Sequence, residues 1–394
     1  MSSIKTFHSP QAFPLENGQN LPTLDIAYQT WGRRAADDSN VVWVCHALTG
    51  NSDVFDWWAG LFGPDCLLDP ERYFIVCANN LGSCYGTSGP LSVNPASGKP
   101  YFHDFPDVTI RDMANAHELL RQHLGIKNIH LLIGGSQGGQ QALEWAIGKP
   151  ELIDNLVLIA TNAAHSPWGI AFNESQRLAI ATDPTWREHT PAAGLEGMKT
   201  ARGVALLSYR HYYTYGASQQ APHNELTDNF PAASYQRYQG EKLARRFNAF
   251  SYWTLSKAMD SHNVGRGRAS VAAALASVRA RTLVISLSSD LLFPPAEQEF
   301  LARHISDAGY VSIDSYYGHD GFLTETATLN EVLDVFLEGR RNEDIQIEKM
   351  ESGATDFYQY INAAVFSASV RKNKCRPLPR RETGSIPCNR YRAE

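Results

Sequence analysis

The sequence predicts an α/β fold: a mostly parallel sheet flanked by helices, with a helical lid inserted between its later strands. Three observations predict it. Short runs rich in Val, Ile and Leu recur without polar alternation, which suits strands covered on both faces. Helical patterns fall between many of those runs. The alternation then stops between about residues 163 and 268, where Tyr, Trp, Arg and Gln are abundant and apolar strand runs are missing.

Residues 41–45 read as the first buried strand, followed by the loop His46-Ala47-Leu48-Thr49-Gly50, and 73–78 as the next. Thr109-Ile110-Arg111-Asp112 resembles a capping box, opening a helix that Gly125 stops. Residues 129–133 form a strand that runs into Gly134-Gly135-Ser136-Gln137-Gly138, and a helix follows it. Residues 156–160 are a further strand. Within the insertion, 177–181, 197–213 and 235–259 read as helices, and a helical insertion after a mid-sheet strand forms a lid over a site. Strands 282–287 and 311–313 and helices 296–304 and 329–336 complete the sheet. The expected division is core 1–162, helical lid 163–268, core 269–340 and a polar, basic, mobile tail 341–394.

Composition excludes several classes. The chain has 394 residues, 43% hydrophobic and 19% charged, which suits a large packed core. A net charge of -6 offers no general attraction for nucleic acid. No apolar run approaches the ~20 residues that span a bilayer, and the first residues lack the apolar stretch of a signal peptide, so a cytoplasmic protein is expected. None of the six cysteines forms a C-x-x-C pair or lies in a cluster with zinc-ligand spacing. Neither a disulfide nor a metal is expected, and Cys45 and Cys77 should be buried, reduced thiols.

The chemistry centres on Ser136. Strand, sharp Gly-x-Ser-x-Gly turn, then helix is the setting of a nucleophile elbow, which lifts a serine hydroxyl clear of a sheet. Such a serine needs a base within hydrogen-bond reach and an acid to orient it, in the chain order Ser, acid, His. Asp290, just after strand 282–287, and His319, just after strand 311–313, meet that order at carboxyl ends of strands. One oxyanion donor should be the backbone N–H of Gln137, and the other a backbone N–H near Leu48 in the loop after the first strand. His46 then braces the loop rather than acting as a second base. His103, His117, His123 and His211 follow no strand end and read as ordinary.

At the level of longer motifs the chain resembles the homoserine O-acetyltransferase family of α/β-hydrolase-fold acyltransferases. The motifs are His46 to Gly50, Gly82 to Gly89, Gly134 to Trp145, Ala201-Arg202 through Tyr209-Arg210, and Tyr317-Gly318-His319-Asp320-Gly321-Phe322-Leu323. The resemblance covers about residues 10–339. It implies an α/β-hydrolase fold and a step in methionine synthesis, with acetyl-CoA as co-substrate, no bound cofactor and L-homoserine as acceptor. It also implies a homodimer joined through the lid. Carried over residue by residue, it implies Ser136 as nucleophile, His319 as base and Asp290 as orienting acid. Leu48 and Gln137 become the oxyanion donors, Arg202 and Tyr209 the contacts to the substrate carboxylate, and Asp320 the contact to its ammonium. An arginine fork suits a carboxylate, and a carboxylate beside the base suits an ammonium. Gln137 and Gln140 depart from the family, many of whose members have methionines there, and the tail matches none of its motifs. Three other readings stand beside this one: a homoserine O-succinyltransferase on the same scaffold, a serine carboxylesterase, and a non-catalytic binding protein.

Overall fold

Eight strands form one sheet in the computed structural model, which describes residues 3–64, 66–223, 225–338 and 346–350. In chain order they are β1 (Lys5–Ser9), β2 (Leu24–Trp31), β3 (Val41–Cys45), β4 (Phe74–Ala78), β5 (Ile129–Gly135), β6 (Ile153–Ile159), β7 (Arg281–Leu287) and β8 (Ala308–Ile313). Their spatial order is β1-β2-β4-β3-β5-β6-β7-β8. All neighbours pair in parallel except β1 with β2 and β2 with β4.

The parallel pairing follows from burial. Each residue of β3 is buried, as are nearly all of β5, β6 and β7, so these strands are covered on both faces. Helices α1 (Ile110–His123) and α2 (Gln137–Gly148) cover one face. The Thr109 side chain caps α1 in a complete capping box with Asp112. Between sheet and helices, Trp43 and Trp145 meet edge-on at 5.0 Å, both fully buried. Each such side chain contributes roughly 1.5–3 kcal/mol or more of burial energy. On the other face Trp58, Ile133, Leu329 and Phe336 form a second cluster.

Helices α3 (Pro167–Ala181), α4 (Leu195–Tyr209), α5 (Tyr212–Gln219), α6 (Pro231–Ala244) and α7 (Ala249–Asp260) lie between β6 and β7. Their entry and exit segments are zipped together: Val264 N–H donates to Ala163 C=O and His165 N–H to His262 C=O, each at 2.9 Å. Two helices expected from the sequence are interrupted. The stretch 197–213 ends α4 at Tyr209 and resumes at Tyr212, and 235–259 breaks at 245–248, where the Asn248 side chain accepts the Ser251 N–H and restarts the helix as α7. After β7, helix α8 (Pro295–His304) leads to β8 and α9 (Thr326–Glu338) closes the core.

The tail needs one correction. Residues 346–350, read from sequence as mobile, lie along β8: Tyr310 N–H donates to Glu348 C=O at 2.8 Å and Glu348 N–H returns to Tyr310 C=O at 2.9 Å. Gly309 makes room, since a Cβ there would sit 2.3 Å from the Ile347 side chain. The tail expected over 351–394 lies outside the described residues. Among the described residues no helix is long and apolar enough to cross a membrane, and Cys45, Cys66, Cys77 and Cys84 are free thiols.

Candidate active site

The parallel register brings the carboxyl ends of five strands to one edge. Cys45 pairs with Gly134, Gly135 with Ile159, Ile159 with Ile285, and Leu287 with Ile313. The loops beyond those residues carry Leu48, Ser136, Asp290 and His319, which is why residues far apart in the chain meet there.

Ser136 stands between β5 and α2 with φ 56° and ψ -127°, a conformation that costs a non-glycine residue on the order of 1–3 kcal/mol. The surroundings hold it there. Its N–H donates to Ile159 C=O at 3.0 Å, and its C=O accepts the Thr161 hydroxyl at 2.8 Å. The turn tolerates no side chains on its flanks: a Cβ on Gly134 would lie 2.3 Å from the Gly138 oxygen, and one on Gly138 2.0 Å from the Cys45 oxygen.

The Ser136 Oγ lies 2.9 Å from His319 Nε2, and His319 Nδ1 lies 2.7 Å from Asp290 Oδ2. Asp290 Oδ1 accepts the backbone N–H groups of Leu292 and Phe293, at 2.8 and 2.9 Å. A carboxylate so held accepts a hydrogen bond from Nδ1–H, which leaves the Nε2 lone pair facing the serine hydroxyl. The imidazole is wedged by Phe293, stacked at 5.0 Å, with Phe322 at 5.3 Å and Tyr209 at 5.8 Å. All three polar residues are buried. Such a chain can take a proton from an alcohol as the alcohol attacks a carbonyl.

Among the described residues the N–H groups of Leu48 and Gln137 meet no protein acceptor. His46 accepts the Asn80 N–H on Nε2 at 3.0 Å and makes a 2.9 Å bond from Nδ1 to Ala47 C=O. Burial pushes its pKa down to about 4, so it is neutral near pH 7 and its lone pair is already used.

Of the remaining sequence-expected residues, Arg202 and Tyr209 reach the same place from the lid and Asp320 from the loop that carries His319. The Arg202 guanidinium sits 5.5 Å over the Tyr209 ring, and Tyr209 contacts His319. Asp320 is not a free carboxylate: Arg210 Nε lies 2.7 Å from its Oδ2. Burial raises the Asp320 pKa, while Arg210 and Arg202 work against that shift. Arg210 closes one of the expected motifs, yet the sequence did not suggest this ion pair.

Sequence reading also missed Glu297, which is 1% exposed in the first turn of α8. It accepts the Asn162 amide at 2.9 Å, and Asn162 in turn accepts from Gln140 at 2.9 Å. Burial drives its pKa up to about 8, with the Asp290 charge adding to the rise against the Asn162 hydrogen bond. A glutamate opening a helix reads from sequence as an ordinary partner of the helix dipole, so no signal set it apart.

Comparison with known proteins agrees with this fold. A model of the alpha/beta hydrolase fold matches residues 40–326. The chain is 48% identical to a homoserine O-acetyltransferase of Cyclobacterium marinum over 84% of its own length and 94% of that protein's. It is 29% identical to the solved homoserine O-acetyltransferase of Staphylococcus aureus, with a TM-score of 0.72 over 87% of this chain and 98% of that one. Esterase E22, at 24% identity and a TM-score of 0.78 over 86% of this chain and 100% of that one, shares the fold.

Proposed function

This chain belongs to the homoserine O-acetyltransferase family, and from that premise we propose that it moves acetyl from acetyl-CoA to the hydroxyl of L-homoserine by way of acetyl-Ser136. The observation that carries the proposal is the buried relay, with Ser136 Oγ 2.9 Å from His319 Nε2 and His319 Nδ1 2.7 Å from Asp290. Its surroundings supply charges of both signs for a zwitterion.

In the first half-reaction Ser136 Oγ attacks the thioester carbonyl while His319 takes the hydroxyl proton. The oxyanion is met by the N–H groups of Leu48 and Gln137, each worth on the order of 3 kcal/mol in comparable sites. Collapse of the intermediate breaks the C–S bond, and the imidazolium returns its proton to sulfur, releasing CoA as thiol. In the second half-reaction His319 takes the homoserine hydroxyl proton, and the alkoxide attacks the acetyl-serine. The bond between the acetyl carbon and Ser136 Oγ then breaks, and the proton goes back to Oγ. Arg202 and Tyr209 receive the substrate carboxylate. Asp320 receives the ammonium, sharing its charge with Arg210. The lid over the strand ends keeps water from competing with homoserine. Acetyl-CoA acts as substrate, with no resident cofactor in the scheme. The proposal places the enzyme in the cytoplasm, in methionine synthesis, as a homodimer joined through the lid.

A panel of donors and acceptors tests the reading. Acetyl-CoA alone should release about one equivalent of CoA per site rapidly, with sustained turnover only after homoserine is added. Steady acetate release that ignores homoserine, or a preference for succinyl-CoA, would overturn it.

A further inference from the structure

Two oxyanion donors on different loops must keep a fixed separation to hold one oxygen. Leu48 belongs to the loop after β3, and Gln137 opens α2 after β5. Asn80, in the loop after β4, touches the frame of both. Its Nδ2 donates to Gln137 Oε1 at 3.1 Å and lies 3.4 Å from His46 C=O. Its backbone N–H holds His46 Nε2 at 3.0 Å. The far side of the Gln137 amide donates to Leu255 C=O of the lid helix α7 at 3.1 Å. Asn80 and Gln137 are fully buried. Among the described residues Asn80 Oδ1 has no hydrogen-bond partner. An apolar residue of the same shape would avoid that cost, so Asn80 is poorly explained as core filling.

We propose that Asn80 is a positioning residue: through the Gln137 side chain and the His46 loop it fixes the spacing of the two N–H donors, and the lid is seated on the same amide. The inference rests on the oxyanion reading above. It also gives a role to the departure at Gln137, whose side chain, rather than its N–H, makes the brace. Donors displaced by a fraction of an ångström weaken transition-state binding far more than ground-state binding. The brace should therefore appear in kcat rather than in KM.

The test is a double-mutant cycle with Asn80→Leu and Gln137→Met, both of which keep the backbone donors. Each single variant strands a buried polar partner and should lower kcat by about 10- to 100-fold, with both KM values within about threefold of the parent. The double variant lacks the same single brace and should lose little more kcat than the worse single variant. Single variants with kcat within about threefold of the parent, losses that multiply in the double, or losses carried by KM would overturn the proposal. Should Asn80→Leu fail to fold, Gln137→Met alone decides. Its affinity for a trifluoromethyl ketone analogue, which forms a tetrahedral adduct on the serine, should fall in proportion to kcat, and an unchanged affinity would sink the idea. Ser136→Ala separates the two levels: continued transfer in that variant removes the underlying function, whereas loss there beside unaffected Asn80 and Gln137 variants removes only the brace.

Discussion

The sheet edge and the lid meet at one site but are held by different forces. Ser136, Asp290 and His319 project from loops whose positions the strand ladder fixes, and two of them are clamped through backbone groups: the Ser136 N–H and C=O by the Ile159 carbonyl and the Thr161 hydroxyl, and the Asp290 carboxylate by the N–H groups of Leu292 and Phe293. Arg202 lies midway along the lid helix α4, Tyr209 at its end and Arg210 just beyond, held by a guanidinium over a ring and an ion pair of side chains. Backbone ladders resist sliding, because one residue of slip turns every side chain over. Side-chain pairs can exchange partners. In the proposed mechanism the chemistry is thus built on the rigid part, and the grip on the substrate carboxylate on the part that can adjust.

That contrast can be broken by experiment. The largest effect is expected at the sheet edge. Asp290→Asn leaves the histidine in place but presents the wrong tautomer, so kcat should fall about 10⁴-fold in both half-reactions, as in comparable triads. Stopped-flow release of CoA and steady-state transfer both measure it. A loss confined to the homoserine half would erase the distinction drawn here. Arg202→Ala should act on that half alone. Its kcat/KM for homoserine should fall roughly 10²- to 10³-fold, about 3–4 kcal/mol and inside the range for a truncated charge partner, while the CoA burst stays within a few-fold of the parent. A burst that slows in parallel would place Arg202 in the chemistry.

Stability offers two smaller tests. Burial pushes His46, His117 and His262 down to about 4 and His165 to about 3, from an ordinary 6.5. A histidine depressed in the folded state is protonated first in the unfolded chain. Its share of stability is intact above pH 6.5 and is lost as pH falls towards 4, at about 1.4 kcal/mol per pH unit for each proton. Denaturant melts between pH 7 and 4.5 should therefore fall steeply, and a flat profile would mean these imidazoles are not desolvated. Two of the four, His165 and His262, lie where the lid joins the core, so the acid limb also probes the seam. Glu297 works at the other end. Its raised folded pKa means that stability is fully present below about 4.5 and is lost as pH rises to about 8. This is a single-proton slope, at most a quarter of the histidine limb. Glu297→Gln should remove that slope, and parallel profiles for variant and parent would refute it.

The same contrast explains what could be read from the chain beforehand. The strands of the parallel sheet announce themselves because burial on both faces demands unbroken apolar runs, and the elbow because glycine is forced on both sides of Ser136. β2 escapes notice because Asp25, Gln29 and Thr30 interrupt it, and β1 because most of it is exposed. The lid helices are legible as helices but not in extent: their breaks depend on a single capping side chain at Asn248 and on the turn at Arg210 and His211. The Arg210–Asp320 pair and the Asn80–Gln137 amide contact lie beyond sequence patterns, because each joins residues more than fifty positions apart that only the folded sheet brings together.

The central claim is that Ser136 carries the acetyl group between two substrates. Intact-protein and peptide mass spectrometry of enzyme mixed with acetyl-CoA tests it most directly. One acetyl group should appear on the peptide containing Ser136 and vanish within a turnover of adding L-homoserine, with O-acetylhomoserine formed in equal amount. Transfer that proceeds while Ser136 stays unmodified at every time point, or an acetyl group that homoserine does not discharge, would contradict the account.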